Sequence, residues 1–174
     1  DHAKSMVAIK SQLIEKLFKY VIHSQSGELS ISKLSSTLGN DFESLSTYFS
    51  YLNKAGIIRF LYSGQTGKAH LRNPAKAYPD NSNMIFSNYL PQLYDSQVGK
   101  IRETFVINQL QNAQHEVFYT EKGDFKVNRY VFEVGGKNKS RRQLDNQEHA
   151  YLLVDDTLFG FKDKIPLFWM GFLY

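Results

Sequence analysis

Apolar residues in the first half of the chain recur at helical spacing in three segments that are separated by short polar stretches. The segments cover residues 6–22, 31–38 and 42–55, and this periodicity predicts an amphipathic helix in each. Ser30 and Asp41 stand directly before the second and third segments, where a side-chain oxygen can cap a helix. We therefore expect three helices before residue 57.

A β-rich run follows the third helix and indicates how this half of the chain folds. Residues 57–62 are typical of a strand, residues 63–68 of a turn, and residues 69–72 of a returning strand. Three helices followed by a hairpin are the elements of a winged helix-turn-helix. We assign residues 1–73 to such a domain, with the third helix as its recognition helix.

The pattern changes in the second half, where short apolar runs alternate with helical segments. Residues 74–83 are rich in turn-forming residues and are expected to be a linker. Residues 84–174 are expected to form an α/β domain with a mixed sheet. Its predicted helices are 84–94, 99–112 and about 141–146, and its predicted strands are 116–120, 125–127, 130–134 and 150–154.

The chain ends in a strongly apolar and aromatic segment, residues 165–174. A chain end of this kind must be buried, either as a final strand or against the surface of a partner. We expect internal burial.

Charge and composition narrow the functional class. The net charge is +4, and the whole excess lies in residues 1–83, which hold ten Lys or Arg against six Asp or Glu. A basic half points weakly to nucleic acid. The absence of cysteine excludes disulfides and fits a cytoplasmic protein. We find no apolar run long enough to span a membrane, and the missing initiator Met suggests a chain that begins inside a longer protein.

The predicted recognition helix is poor in side chains that read bases. Its outward residues include Ser46 and Thr47, and Lys54 is its one basic residue, whereas base contacts usually use Arg, Lys, Asn or Gln. If double-stranded DNA binds, we expect Lys54, Arg59 and the wing residue Lys68 to contact phosphates. The glycines around Lys68 fit a hairpin turn better than a nucleotide-binding loop, so this chain has no ATP site of its own.

Residues with metal and phosphate chemistry occur in a definite order in the second half. Glu103 lies on a predicted helix, Asp124 begins one strand, Glu133 lies near the end of the next, and Lys137 and Gln143 follow. This is the order of restriction-endonuclease-like nucleases. Asp124 and Glu133 could bind Mg²⁺ through oxygen ligands, and the metal would activate a water. Glu103 could bind a second metal or a metal-bound water. Lys137 would orient the activated water, and Gln143 could orient the lysine or contact the nucleic-acid backbone.

The spacing after Glu133 departs from the usual pattern, in which Glu and Lys lie two residues apart on one strand face. Gly135 occupies that position, and Lys137 lies four residues away, after two glycines that suggest a bulge or a strand end. Lys126, two residues after Asp124, is another source of positive charge. The residues therefore fit both an active site and its inactive descendant.

Together, these motifs resemble the C-terminal region of a group of prokaryotic AAA-family ATPases, in which a winged helix and a nuclease-like domain follow the ATPase module. The resemblance covers nearly the whole chain and is most specific at residues 132–139 and 165–174. It implies that ATP binds on a module upstream of Asp1 and that this module is a partner. It also implies that many members have an altered active site.

Three functions stay open at this point. The first is a nucleic-acid-associated accessory region with an inactive nuclease-like domain, and the second is a Mg²⁺-dependent DNA endonuclease. The third is a protein-interaction or oligomerisation module, which the apolar end and the neutral recognition helix favour. In the non-enzymatic case Asp124 caps a turn, Glu133 pairs with Arg129 or Arg102, and Lys137 lies in a solvated loop.

Overall fold

Three helices open the chain, as the apolar periodicity predicts. The structure is a computed structural model that describes residues 2–24, 27–64, 73–89, 91–144 and 147–174. Helix α1 is His2–His23, α2 is Ile31–Leu38 and α3 is Phe42–Lys54. Both predicted caps are confirmed, because Ser30 accepts a hydrogen bond from the backbone of Lys33 and Asp41 accepts one from the backbone of Ser44. The helices share an apolar cluster that includes Leu17, Val21, Leu34, Leu45, Phe49 and Ile58.

The described residues hold seven strands in one mixed sheet, with the order β2-β1-β3-β4-β5-β6-β7. The β1/β3, β5/β6 and β6/β7 pairs are parallel, and the other pairs are antiparallel. This confirms the mixed α/β class. The strands are β1 (Ile58–Ser63), β2 (Lys76–Pro79), β3 (Phe118–Tyr119), β4 (Phe125–Val127), β5 (Tyr130–Gly135), β6 (Ala150–Val154) and β7 (Lys164–Pro166).

Strand β2 lies in the segment that was predicted to be a linker. It is buried along its whole length and pairs with β1, which on its other side pairs with β3. The sheet therefore continues from the helical half into the second half of the chain. The predicted returning strand at 69–72 lies outside the described residues, as does most of the turn before it. The division into two domains stays a prediction.

The helices of the second half are shorter than predicted, with one exception. Helix α5 (Val98–Asn112) matches its prediction closely. The helix expected at 84–94 is wrong: α4 covers Asn83–Phe86, and a 3₁₀ helix begins at Pro91. Proline lacks the backbone N–H that a continuous α-helix needs and restricts the residue before it. The helix expected near 141–146 is a 3₁₀ turn at Arg141–Leu144.

The two faces of the sheet have separate apolar cores. Helix α5 covers one face, where Val106, Ile107 and Leu110 join Val134 and Leu153. The other face carries a smaller cluster of Val131, Leu144, Ala150, Leu152 and Val154. Alternation along β5 and β6 produces this separation, because successive side chains of a strand point to opposite faces.

The aromatic end of the chain is buried only in part, so the expectation of internal burial is wrong for most of its aromatic side chains. Residues Leu167–Phe172 form a terminal 3₁₀ helix, in which three residues complete a turn. Leu167 and Met170 therefore share one face and are buried against the core. Phe168, Trp169, Phe172 and Tyr174 point away from it and are exposed.

A buried lysine joins α5 to the end of α1. Lys100 is buried, and its ammonium donates hydrogen bonds to the carbonyl oxygens of Val21, Ile22 (2.9 Å) and Ser24 (2.7 Å). The last carbonyls of a helix lack partners within it and carry partial negative charge, so a cation there is favourable. Burial lowers the pKa of Lys100 to about 8. This contact ties the helical half of the chain to the sheet.

Replacing Lys100 by Met is expected to lower the free energy of unfolding by about 2–4 kcal/mol, because several carbonyls lose their donor at once. Urea unfolding followed by circular dichroism measures the change. Lys33→Met is the matched control, because Lys33 is exposed on α2. Equal losses in the two variants would show that the contact of Lys100 with α1 contributes nothing.

Candidate functional site

Glu103 reaches the sheet from α5 and meets a buried tyrosine. The hydroxyl of Tyr78 on β2 donates a hydrogen bond of 2.6 Å to Glu103 Oε2. Tyr78 is fully buried, and burial together with Glu103 raises its pKa well above the usual value. Tyr78 therefore stays protonated and remains a donor to the carboxylate.

Asp124 stands at the start of the β4–β5 hairpin. Its Oδ2 accepts a hydrogen bond of 2.7 Å from the backbone N–H of Val134. The preceding residue, Gly123, has a φ of +111°, and a Cβ atom there would lie 2.8 Å from Val131 Cγ1. No side chain fits at that position, so Gly123 permits the tight approach that places Asp124 against β5.

Glu133 is the most deeply buried of the three predicted carboxylates, with 1% of its surface exposed. It forms an ion pair with the ammonium of Lys139. Apart from that ion pair, neither carboxylate oxygen has a hydrogen-bond partner among the described residues. The expected partners are engaged elsewhere: Arg102 pairs with Asp155 at 3.0 Å, and Arg129 donates to the hydroxyl of Tyr130.

The lysine beside Glu133 is Lys139, not Lys137. The chain turns after β5, with the Lys139 N–H donating to the Gly136 carbonyl, and this turn returns Lys139 to Glu133. A Cβ atom at Gly135 would lie 2.6 Å from Lys139 Cγ, so the aliphatic part of Lys139 occupies the space above this glycine. Lys137, at the exposed tip of the turn, does not contact Glu133 in the structure.

A second lysine of the site was missed by sequence reasoning. Lys76 begins β2, is buried, and places its ammonium 4.9 Å from the centre of the Tyr119 ring. Its charge lowers the pKa of Glu103, Asp124 and Glu133, so it lies near all three. The segment gave no useful signal, because residues 74–83 looked like a linker rather than a buried strand.

All three carboxyl groups have raised pKa values. Burial is the largest cause in each case, and Asp124 further raises the pKa of both Glu103 and Glu133. The hydrogen bond from Tyr78 acts in the opposite direction on Glu103, and Lys139 does so on Glu133. Asp124 is therefore the central charge of the cluster.

Glu103 and Glu133 approach from different faces of the sheet, although the charge of Glu133 still raises the pKa of Glu103. Glu133 is in register with Leu152, which belongs to the apolar cluster on the face away from α5, whereas Glu103 comes from α5. Among the described residues, no group of three His, Cys, Asp or Glu side chains is arranged to hold a metal ion. Asp124 with one neighbouring glutamate is the donor set that fits a divalent cation best.

Gln143 lies in the 3₁₀ turn Arg141–Leu144, next to the cluster on the far face of the sheet. Its side chain is outside what the structure describes, so its predicted role stays a prediction. Lys126, the other lysine that the sequence suggested, lines a separate cavity with Tyr119 and Lys122.

The residues predicted to contact DNA differ in their exposure and in their contacts within the chain. Thr47 and Lys54 are exposed on α3, and Ser46 is half-buried beside them. Arg59 is committed to internal contacts, because its guanidinium pairs with Asp80 at 2.8 Å and donates to Gln111 and Asn112. Lys68 lies outside the described residues.

A groove of about 600 Å³ lies between α1 and α3, and charged side chains line it. Its lining includes Lys10 from α1 and Asp41 and Glu43 at the start of α3. The acidic residues stand at the end of the helix that would enter a DNA groove, where they would repel phosphates. Lys54, at the opposite end of α3, is better placed for contact with DNA.

Comparison with known proteins adds one match. Residues 1–81 match a family described as a domain of unknown function (DUF8612). The matched region contains α1, α2, α3, β1 and β2, so it extends past residue 73 to include the buried strand β2. No curated protein and no solved structure matches the chain. No helix of the described residues has the length and apolar character needed to cross a membrane.

Gly135→Ala is expected to lower the free energy of unfolding by about 1–3 kcal/mol, because the methyl group displaces Lys139 and leaves Glu133 buried without its cation. Chemical denaturation measures the loss. Gly136→Ala is the control, since its Cβ would lie 3.4 Å or more from Arg102. Adding Glu133→Gln to Gly135→Ala should restore part of the loss, and failure to do so would contradict the role given to Lys139.

Glu103→Gln is expected to raise the melting temperature by a few degrees at pH 8 and by less towards pH 4. The raised pKa of Glu103 means that the folded chain holds a proton more tightly than the unfolded chain. That contribution to stability is present below the ordinary carboxyl pKa of about 4.3 and is lost as pH rises through the raised value. Glutamine does not titrate, so Glu103→Gln avoids this loss of stability at high pH. Its side-chain oxygen can still accept the hydrogen bond from Tyr78.

Thermal unfolding across this pH range measures the effect, and Glu43→Gln on the exposed surface of α3 is the control. A difference between Glu103→Gln and the parent protein that does not change with pH would show that burial of Glu103 carries no titration penalty.

Proposed function

We propose that the chain is the C-terminal accessory region of an AAA-family ATPase, associated with nucleic acid, and that its nuclease-like site does not hydrolyse phosphodiesters. The observation that carries the proposal is Glu133, buried to 1% exposure and paired with Lys139. A metal centre that hydrolyses a phosphodiester needs open positions for a water and for the phosphate. Burial and the ion pair with Lys139 limit access of a metal and its water to Glu133.

The order of the elements supports the nuclease-like part of this proposal. A helix carries Glu103, an antiparallel hairpin carries Asp124 and Glu133, and a parallel strand, β6, follows. Lys139 and Lys76 occupy the surroundings of the carboxylates and supply positive charge there. That positive charge offsets part of the repulsion among the three carboxylates.

The helical half supports association with nucleic acid through the phosphate backbone. Residues 1–83 carry the net positive charge of the chain, and Lys54 and Thr47 are exposed on α3. Arg59 does not contribute to this surface, because its guanidinium is engaged in internal contacts. The acidic residues at the start of α3 disfavour the reading of DNA bases by that end of the helix. The expected mode is therefore sequence-independent and sensitive to salt.

A Mg²⁺-dependent endonuclease is the second candidate function, and the raised pKa values of the three carboxyl groups favour it. Clusters of perturbed carboxyl groups are more frequent at functional sites than elsewhere. In this case Asp124 and one glutamate would hold the metal, which when bound would supply an activated water. Lys139 would leave Glu133 and stabilise charge on the phosphate, and Tyr78 would hold Glu103 in place.

One set of measurements separates the two functions. Fluorescence anisotropy with a labelled duplex should show binding at low salt that weakens as salt rises, and Lys54→Ala should bind several-fold more weakly. Gel analysis of the same DNA, and of RNA, with Mg²⁺ or Mn²⁺ should show no cleavage. Thr37→Ala, on the exposed surface of α2, serves as the binding control.

Two results would overturn the proposal. Absence of binding at low salt would remove the association with nucleic acid. Cleavage that requires metal and disappears in both Asp124→Ala and Glu133→Ala would instead establish the endonuclease. Cleavage that persists in both variants would indicate a contaminating nuclease and would leave the inactive site in place.

A further inference from the structure

Large apolar side chains are exposed together near the C-terminal end of the chain. Leu158, Phe159 and Phe161 lie in the loop between β6 and β7, and Phe159 is 82% exposed. The terminal 3₁₀ helix adds a second group, which includes Phe172 at 77% exposure. The members of this second group are Phe168, Trp169, Phe172, Leu173 and Tyr174.

The two groups adjoin each other and form one surface. A Cβ atom at Gly160, in the middle of the loop, would lie 3.6 Å from Trp169 Cη2. Within the helix, the ring of Phe168 lies 6.5 Å from that of Trp169 and 6.4 Å from that of Phe172. We call the exposed loop residues Leu158, Phe159 and Phe161, together with Phe168, Trp169, Phe172, Leu173 and Tyr174 of the chain end, the aromatic surface.

An apolar groove of about 420 Å³ opens beside the aromatic surface. Trp169, Met170 and Leu173 form one wall, and Phe132 and Ile165 come from the sheet. Trp169 therefore lies between the groove and the projecting loop. The same region of the molecule offers both an apolar projection and an apolar depression.

The size of the aromatic surface exceeds what a monomer normally exposes. Aromatic side chains present about 150–250 Å² each, so the exposed parts of the eight residues amount to roughly 900 Å². The largest apolar patch on a typical monomer is about 300–600 Å². A stable interface buries about 800 Å² on each partner, which this surface alone can supply.

We propose that the aromatic surface binds a second copy of this chain in a two-fold symmetric dimer. In this dimer Phe159 of each copy enters the groove beside Trp169 of the other. A two-fold interface requires a surface that is complementary to itself, and a projection and a groove that share Trp169 meet this requirement. Each contact is made twice, and the two-fold symmetry closes the assembly at two copies.

Local charges disfavour a polyanion as the occupant of this surface. Residues 155–164 contain three Asp and two Lys, so the loop presents no excess of positive charge to nucleic acid or to an anionic membrane. The edge strand β7 also disfavours pairing of strands between copies, because it contains Lys164 and Pro166. Contact therefore takes place through side chains.

Trp169 provides a direct probe, because it is the single tryptophan of the chain. Sedimentation velocity between about 1 and 200 μM should show a concentration-dependent species of twice the monomer mass, with an affinity in the micromolar range or tighter. Over the same range the emission of Trp169 should shift to shorter wavelength as the indole leaves water. Growth beyond the dimer would contradict the closed arrangement.

Phe159→Glu should weaken dimerisation at least about tenfold, because it places a charge in an apolar groove at two equivalent positions. Phe172→Glu tests the helix part of the surface in the same way. Tyr51→Glu is the matched control, because Tyr51 is 57% exposed on α3, away from the aromatic surface. Circular dichroism should show all three variants folded.

Two outcomes would overturn the inference. The parent chain could remain a monomer at the highest concentration with unchanged tryptophan emission, which would mean that the surface has another occupant. Alternatively, a dimer could form that Phe159→Glu and Phe172→Glu weaken no more than Tyr51→Glu does. In that case the contact lies elsewhere on the molecule.

Discussion

Burial of carboxyl groups together with lysines is the constraint on which the centre of this fold depends. An unpaired charge in a protein interior destabilises the folded state by several kcal/mol, so each buried acid requires a cation nearby. Lys139 meets this need for Glu133 by returning over Gly135, and Lys76 brings a second ammonium from β2. Lys76 reaches the carboxylates because β2 joins the sheet, and Lys139 reaches Glu133 because residue 135 has no side chain.

Capping rules and short apolar patterns predicted several helix starts and strands correctly. Ser30 and Asp41 cap their helices as expected, and the predicted strands at 125–127 and 150–154 match β4 and β6. The acids at 103, 124 and 133 were proposed as site residues because their residue type and order are visible in the sequence, and that role stays a prediction. Such rules did not predict contacts that depend on the path of the chain through turns or on the pairing of strands.

Three misjudged positions show this limit. Lys139 reaches Glu133 through a turn that the two glycines permit, whereas sequence spacing favoured Lys137. Lys76 looked like a linker residue, because its burial depends on pairing with β1. The apolar end was expected to be buried, but a 3₁₀ helix turns one residue in three towards the core and leaves the others outside.

Helix α5 explains why the aromatic surface cannot be covered from within the described fold. Lys100 and Glu103 lie three residues apart on the same side of the helix, where Lys100 contacts the end of α1 and Glu103 contacts Tyr78. Its remaining apolar side chains fill the core of the sheet, and Phe105 already lies against the terminal helix near Gly171. Since the apolar side chains of α5 are used in the core and β7 lies at the edge of the sheet, a partner for Phe159 and Phe172 would come from another molecule or from residues outside those described.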